Sequence, residues 1–140
     1  MKRNAAKMKN VLLREPVFNI LPYFQSCDIH ILLSEREGMP NSVLEGMSCQ
    51  LPTVVTAVPG LGSIVESGVD GYVLPVADKQ AAAEAIIKLA ENKSLRERMG
   101  LAARQKTIRN YEIKTIVKDC ERMYRQICKK GGAKKYSGGA

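Results

Sequence analysis

Two carboxylates, Glu37 and Glu45, lie eight positions apart in this chain, and the residues between them suit a binding site. Gly38, Pro40 and Asn41 are typical of a loop, and the residues after them return to apolar positions at helical spacing. A carboxylate accepts hydrogen bonds from the hydroxyls of a sugar or ribose, each worth about 1.5–3 kcal/mol. The unpaired N–H groups of a first helical turn suit a phosphate. The segment therefore suits a ligand that carries hydroxyl and phosphate groups.

A purely structural interpretation of the same residues is also open. Ser42 and Glu45 have the spacing of a capping box, in which Ser42 is the N-cap and Glu45 occupies the third helical position. On that interpretation Glu45 serves only to start the helix, and Glu37 is a solvated charge in the loop. The spacing alone does not decide between the two interpretations.

The elements around this segment predict a parallel sheet. The apolar run 29–33 predicts a buried strand before the loop, and residues 42–49 predict a helix after it. Further strands are predicted at 53–56 and 72–74. Strand, loop and helix alternate along the chain, which indicates an α/β fold. Ligands bind beyond the carboxyl ends of the strands in such a sheet, and there the segment from Glu37 to Glu45 is expected to lie.

The rest of the chain predicts further short elements and three helices. Residues 11–13 suggest a short strand and residues 17–27 a short helix. Asp78 is expected to cap a helix through residue 92, and Ser94 another to about residue 106. An amphipathic helix is expected at 112–128. Three or four strands make half of a doubly wound domain, so we expect a Rossmann-like half-domain at 11–128 with a long C-terminal amphipathic helix.

Composition excludes several classes of protein. The chain has 140 residues, enough for one domain, with 45% hydrophobic and 26% charged residues. No apolar run approaches the ~20 residues of a membrane helix, and no apolar segment follows the basic N-terminus to make a secretory signal. Residues 1–10 (basic) and 129–140 (Gly- and Lys-rich) are expected to be disordered.

The cysteines and the single histidine predict no metal site. Four cysteines without a CxxC spacing, each at an apolar position of a predicted helix, are expected to be free, buried thiols in a reducing cytoplasm. His30 lies inside a predicted strand, where a hydrogen-bonded core or edge histidine is the expected role. A zinc site would need closer pairs of ligands.

The net charge of +8 comes from the C-terminal part of the chain. Residues 101–140 carry 11 Lys or Arg against three acidic residues, whereas the charges of residues 1–100 cancel. A basic segment suits a nucleic acid, an anionic membrane surface or simple solubility. No helix-turn-helix, RNP or zinc-finger pattern is present, so no nucleic-acid partner is expected. Contact peripheral to the inner face of a membrane stays open.

The ordered motifs of residues 17–127 resemble one enzyme family. The run 34–41 followed by 44–47 is similar to the Glu-x7-Glu motif of the retaining "group 1" glycosyltransferases, family 4 of the GT-B fold. Residues 51–56, Gly60 and 64–75 then follow in that family's order and spacing. The resemblance covers the C-terminal part of the family's donor-binding domain only.

Two stretches, residues 46–50 and 59–63, depart from the family pattern. Gln50 replaces the glycine that usually ends the helix, so either strain or a different solvation is expected at that helix end. Gly46 stands where the family usually has alanine. Ser63 replaces an acid in a later loop, which weakens any role for that position. None of these departures touches the pair of glutamates.

The resemblance implies a role for each residue of the segment. It places Glu37 at the catalytic centre, bonded to hydroxyls of the donor sugar, and Glu45 on the ribose of the nucleotide. The donor-binding set that it implies, besides Glu45, is Gly38, Met39, Pro40, Asn41, Ser42 and Leu44. In that set the backbone N–H groups of Gly38, Met39 and Asn41 approach the diphosphate. Gly38 permits close approach of the backbone to the ligand, whereas Pro40 has no N–H to donate. Asn41 and Ser42 cap the helix, and Leu44 packs beneath the nucleotide.

The resemblance also implies the reaction and the partners. A sugar passes from a nucleotide diphosphate donor to an acceptor with retention, in polysaccharide or glycolipid synthesis, and no metal or other cofactor is required. The N-terminal acceptor domain and an Arg/Lys pair for the pyrophosphate do not precede this segment here, so the isolated chain is expected to be inactive. Two alternatives stay open: a non-catalytic nucleotide-sugar-binding or homo-oligomerising module, and a basic protein that binds a membrane surface.

Overall fold

The computed structural model describes residues 8–131, and their side chains through Lys129. Its three strands are β1 (His30–Leu32), β2 (Thr53–Thr56) and β3 (Gly71–Leu74). Its five helices are α1 (Leu21–Gln25), α2 (Asn41–Ser48), α3 (Lys79–Glu91), α4 (Lys93–Tyr111) and α5 (Ile113–Gly131). The predicted α/β class and the long C-terminal helix are both confirmed.

The strands form one parallel sheet in the order β1-β2-β3. His30 pairs with Thr53, and Thr53 pairs in turn with Gly71. All four residues of β2 are buried, as the β-branched sequence of a central strand requires. A Cβ on Gly71 would lie 1.9 Å from the carbonyl oxygen of Thr53, so the β2–β3 pairing depends on a glycine at that position.

Two apolar cores lie on the two faces of the sheet. Val55 points into the first core, where it meets Val43 and Met47 of α2. Val54 points the other way, towards Leu89 of α3. Neighbouring strand residues face opposite sides, and this alternation assigns one helix layer to each face. α4 contributes to both cores.

The helix starts agree only in part with the predicted caps. The Asp78 carboxylate accepts a hydrogen bond from the N–H of Ala81 at 2.9 Å, which confirms the predicted cap of α3. α4 is capped by Asn92 and not by Ser94, because the Asn92 side chain accepts from the N–H of Leu95 at 2.9 Å. Asparagine caps as well as serine does, and Asn92 directly follows α3. α4 therefore starts earlier than predicted, and it also continues beyond residue 106, to Tyr111.

The N-terminal predictions were wrong in two places. Residues 11–13 are irregular, because the Val11 N–H closes a turn on the Met8 carbonyl and no strand lies beside them in the described part. The helix predicted at 17–27 is limited to Leu21–Gln25. Pro22 lies in its first turn, and proline is tolerated only at that end of a helix.

Gln50 adopts a strained conformation, which is one of the two outcomes expected from its replacement of glycine. Its φ is +62°, in the left-handed region that favours glycine. α4 covers this helix end closely: a Cβ on Gly100 would lie 2.0 Å from the Gln50 carbonyl oxygen. The Arg104 guanidinium also donates to the carbonyl of Ser48 at the end of α2. Contacts from α4 therefore support the unusual backbone at Gln50.

His30 and the cysteines differ from their predicted environments. His30 packs edge-on against Phe24, with ring centroids 5.5 Å apart, but its buried Nδ1 has no hydrogen-bond partner. All four cysteines are free as predicted, yet Cys49 is half-buried and the other three are exposed. Two of the exposed thiols lie on α5, whose surface α4 does not cover.

α5 leaves its apolar face in solvent. Ile113 is 71% exposed and Tyr124 is 64% exposed, although they lie on the apolar side of a strongly amphipathic helix. The helix reaches Gly131, so it includes the first residues of the tail predicted at 129–140. The rest of that tail, and residues 1–7, lie outside the described residues. No helix between residues 8 and 131 is long and apolar enough to cross a bilayer.

Candidate functional site

The loop that carries Glu37 leaves the sheet at its carboxyl edge. Because the strands are parallel, the segments that follow Leu32, Thr56 and Leu74 all begin at this edge. The Thr56 hydroxyl accepts from the N–H of Ser34 at 3.0 Å and donates to the Ser34 carbonyl at 2.5 Å. This side chain extends the contact between β1 and β2 by two residues and fixes the start of the loop.

Two glycines position the loop and leave space above it. Gly60 has φ +91°, and a Cβ on it would lie 2.0 Å from the carbonyl oxygen of Gly38, so the loops after β1 and β2 touch through their backbones. A Cβ on Gly38 would have no atom within 4 Å. Neither packing nor a positive φ requires glycine at position 38, and its missing side chain leaves open space beside the loop.

α2 begins without a side-chain cap. The helix starts at Asn41 after Pro40, which occupies the N-cap position with ψ 95° and supplies no side-chain hydrogen bond. Ser42 is therefore the second helical residue and Glu45 the fifth, so the predicted capping box and the predicted caps at Asn41 and Ser42 are wrong. Proline has no polar side chain to cap the first N–H groups of the helix. Glu45 consequently has no role in starting α2.

The Glu45 side chain lines a cavity of about 390 Å³ between α1 and α2. Leu44 and Glu45 line one wall, and Leu21 and Phe24 of α1 line the other. Phe18, which is fully exposed, borders the cavity as well. Leu44 also packs against the core on the α2 face of the sheet. Thr107 and Tyr111 of α4 complete the lining, so the cavity has mainly apolar walls with one carboxylate on α2, an arrangement suited to a flat apolar group that carries hydroxyls.

The structure separates the predicted residues into two groups. Leu44 and Glu45 lie at the cavity, whereas Glu37, Gly38 and Met39 belong to the loop at the sheet edge and do not line it. Glu37 is half-buried, and the Met39 side chain is 71% exposed. The start of α2, at Asn41 and Ser42, joins the two groups.

Sequence reasoning missed the wall formed by Phe18 and Leu21. These residues precede the sheet and meet α2 only through the tertiary fold. An aromatic residue ahead of a short helix was the only signal for this wall. Among the described side chains, no three His, Cys, Asp or Glu residues are grouped so that they could hold a metal ion. That no metal is required for the reaction stays a prediction.

Comparison with known proteins gives a family and relatives. The family model described as "Glycosyl transferases group 1" matches residues 2–106. N-acetyl-alpha-D-glucosaminyl L-malate synthase of Bacillus anthracis is 29% identical over 109 residues, which are 78% of this chain and 29% of the relative. The capsular polysaccharide biosynthesis glycosyltransferase CapM of Staphylococcus aureus is 28% identical over 125 residues, 89% of this chain and 33% of the relative. The chain thus spans about a third of the length of these curated relatives.

Solved structures share the fold at low identity. A glycosyltransferase from Rickettsia africae superposes with a TM-score of 0.83 at 19% identity, covering 91% of this chain and 34% of that one. HepE of Anabaena, solved in complex with UDP-glucose, superposes with a TM-score of 0.70 at 21% identity, covering 76% and 30%. These likenesses confirm the fold of the C-terminal part of a GT-B glycosyltransferase. Because the family model matches residues 2–106, the chain belongs to the group 1 glycosyltransferases.

Proposed function

We propose that this chain holds a nucleoside diphosphate sugar for a retaining glycosyltransferase of polysaccharide or glycolipid synthesis. The observation that carries the proposal is the position of Glu45. Its carboxylate has no part in capping α2, yet it lines a cavity of about 390 Å³ and lies one turn after the uncapped start of that helix. An uncapped helix start, a carboxylate one turn further along the helix and the mainly apolar walls of the cavity follow one another along α2, and these are the groups that phosphate, ribose and base need.

The nucleoside would occupy the cavity between α1 and α2. Glu45 would accept hydrogen bonds from the two ribose hydroxyls, and a charged acceptor makes these bonds strong. Leu44 would lie beneath the nucleotide, with Phe18 and Leu21 as further apolar contacts for the base. HepE, whose fold is similar, was solved with UDP-glucose, so uridine nucleotides are the first ligands to test.

The diphosphate would lie at the start of α2. The N–H groups of Gly38, Met39 and Asn41 would donate to its oxygens, and the positive end of the helix dipole favours the negative charge. Pro40 has no N–H and instead fixes the backbone between these donors. The open space at Gly38 allows close approach of an oxygen.

Glu37 would accept hydrogen bonds from the donor sugar near the reacting carbon. On this proposal the leaving diphosphate is stabilised by preorganised N–H groups and the helix dipole, and no metal ion is needed. The sugar is transferred with retention, and Glu37 orients the donor for that transfer. The half-buried position of Glu37 in a loop fixed by Thr56 supports this orienting role.

A complete transferase also needs an acceptor site, for which we propose an N-terminal domain beside this chain. Ile31 and Leu33 at the free edge of β1, and the apolar face of α5, are exposed and suit a neighbouring structure. Without one, the isolated chain is expected to be marginally stable or to form a homo-oligomer, and contact with a membrane surface is the alternative use of α5. Catalysis needs both substrates positioned, so the purified 140-residue chain should transfer no sugar. Robust transfer from a nucleotide sugar would contradict that part of the proposal.

Titration calorimetry of UDP, UDP-glucose and glucose 1-phosphate into the purified chain tests donor binding. We expect both uridine nucleotides to bind and glucose 1-phosphate to bind far more weakly, because it lacks the groups for the cavity. A GDP titration run in parallel separates recognition of uridine from recognition of any nucleoside diphosphate. No heat from any nucleotide, in a chain shown to be folded by circular dichroism, would refute the proposal.

A further inference from the structure

A second cavity, of about 260 Å³, lies at the amino ends of β1 and β2, at the sheet edge opposite the Glu37 loop. Two cysteines, Cys27 and Cys49, line this one cavity. Both thiols are free; Cys27 is exposed and Cys49 is half-buried. The sequence separation of these residues gave no sign that they share a cavity, because they precede different strands.

The two cysteines precede neighbouring strands of the sheet. Cys27 lies three residues before His30, and Cys49 lies four residues before Thr53, which pairs with His30. The pairing begins ahead of the strands, since the His30 N–H donates to the Pro52 carbonyl at 3.1 Å. Neighbouring strands run about 4.8 Å apart, and a disulfide needs Cα atoms about 4.4–6.8 Å apart. Cys27 and Cys49 precede these paired segments and line the same cavity, so a disulfide requires only that their Cα atoms come within that range.

The same two cysteines lie at the carboxyl ends of the two helices that border the other cavity. The Cys27 N–H donates to the Phe24 carbonyl at 3.3 Å, directly after α1. Cys49 is the C-cap of α2, and its N–H donates to the carbonyls of Glu45 and Gly46. Cys49 also lines the cavity into which Glu45 opens. A bond between the thiols would join the two walls of that cavity at their carboxyl ends.

We propose that Cys27 and Cys49 form a reversible disulfide on oxidation by a peroxide, and that this bond fixes α1 against α2 and tightens nucleotide binding. The first thiol is oxidised to a sulfenic acid as the O–O bond of hydrogen peroxide breaks and one water leaves. The second thiol attacks that sulfur and a second water leaves, so two electrons and two protons pass to the peroxide. A dithiol reverses the bond by exchange. The effect on nucleotide binding rests on the proposed function, whereas the bond itself does not.

The other two cysteines provide a matched control. Cys120 and Cys128 lie on α5, eight residues apart, and a helix rises about 12 Å over that distance. They line neither cavity, and one straight helix holds them too far apart to pair within it. Cys120→Ser with Cys128→Ser therefore removes the two exposed thiols of α5, without changing either cavity, and leaves Cys27 and Cys49 as the thiols that can react.

Peptide mapping of this double variant tests the bond. The chain is treated at low micromolar concentration with hydrogen peroxide, alkylated and digested with trypsin without reduction. Cleavage gives residues 15–36 with Cys27 and residues 37–79 with Cys49, and we expect these peptides linked, with two hydrogens fewer than their sum. Dithiothreitol should release them, and Cys27→Ser should abolish the link. If Cys27 and Cys49 are recovered as alkylated thiols or as sulfinic acids, or if they link only between two chains, the bond is refuted.

UDP-glucose titrations of the oxidised and the reduced double variant test the second part. We expect at least threefold tighter binding in the oxidised chain, because a fixed cavity loses less freedom on binding. The difference should disappear after dithiothreitol and in Cys27→Ser. Equal affinities in the two states overturn the effect on binding even if the disulfide forms. Absence of binding in both states refutes the proposed function, and the peptide map then still decides whether the bond exists.

Discussion

Gly60 contacts Gly38 so closely that a single methyl group on Gly60 would lie 2.0 Å from the Gly38 carbonyl oxygen. The reverse is not true, since a methyl group on Gly38 would have no atom within 4 Å. The two glycines of this contact therefore have different roles. Gly60 is needed by the fold, whereas an open space at Gly38 suits a ligand.

The first prediction uses this asymmetry. Gly60→Ala should destabilise the chain by about 2 kcal/mol or more, through the clash and the strain of φ +91°. Gly38→Ala should leave the melting temperature within about 2 °C of wild type but weaken UDP-glucose binding about tenfold, because the methyl group occupies the space next to the diphosphate. Thermal melts and calorimetry on both variants give the answer. Unchanged affinity in Gly38→Ala would refute the predicted role of that space.

The second prediction concerns Glu45. Glu45→Gln removes the charge but keeps the size of the side chain, and α2 has no capping box for it to disturb. UDP-glucose affinity should fall tenfold to a hundredfold, about 1–3 kcal/mol, with the melting temperature unchanged. Glu91→Gln, at the exposed end of α3, is the matched control and should bind like wild type. Equal affinities for wild type and Glu45→Gln would remove Glu45 from the binding site.

The third prediction concerns a buried ion pair that joins α4 to the turn before β3. Lys106 Nζ lies 2.7 Å from the Asp70 carboxylate, which is only 1% exposed and also accepts from the N–H of Glu66. Lys106→Met leaves a buried carboxylate without its cation and should cost about 2–4 kcal/mol of unfolding free energy.

Chemical denaturation with a control measures this cost. Lys93→Met breaks an exposed pair with Glu97, 3.7 Å apart, and should change stability by about 0.5 kcal/mol or less. Adding Asp70→Asn to Lys106→Met should recover part of the loss, because the amide carries no charge. Similar losses in Lys106→Met and Lys93→Met would contradict a special role for the buried pair.

The fourth prediction is a pH dependence of stability. Burial lowers the pKa of His30 below its ordinary value of about 6.5, so the folded chain keeps the ring neutral where the unfolded chain already binds a proton. The contribution of His30 is therefore complete above about pH 6.5 and declines as the pH falls towards the folded pKa, by at most about 1.4 kcal/mol for each pH unit.

His30→Phe isolates this effect. Phenylalanine keeps a ring beside Phe24 and removes the buried Nδ1 that has no partner. Between pH 7 and 5 the variant should lose less unfolding free energy than wild type does, while titration of the carboxylates affects both alike. Denaturation curves at several pH values provide the comparison. Parallel pH profiles for the two proteins would show that His30 does not contribute.

The sequence predicted elements whose signals are local. The β-branched run Thr53–Thr56 is a buried strand as predicted, and the Asp78 cap and the strained helix end at Gln50 follow from single residues. The cap of α2 was predicted wrongly because the N-cap is Pro40, two residues before Ser42. The preference of serine for the N-cap position was thus overridden by the proline two residues before it.

Features that depend on tertiary contact were not predictable from local patterns. The wall formed by Phe18 and Leu21 exists only because α1 packs beside α2. The exposure of Cys120 and Ile113 on α5 depends on what covers that helix, and periodicity reports an apolar face without saying whether anything does. The roles assigned to Glu37 and Glu45 came from the family resemblance, since spacing alone also allowed a helix cap.

One helix, α4, belongs to both cores, with Met99 on one side of the sheet and Ala103 on the other. Detaching it would uncover both layers at once, so neither layer has a boundary along which it could open alone. In native-state hydrogen exchange, the amides of β2 and of the middle of α4 should therefore share one opening free energy and respond together to denaturant. The chain is expected to open as a single cooperative unit, with α5 exchanging earlier and separately.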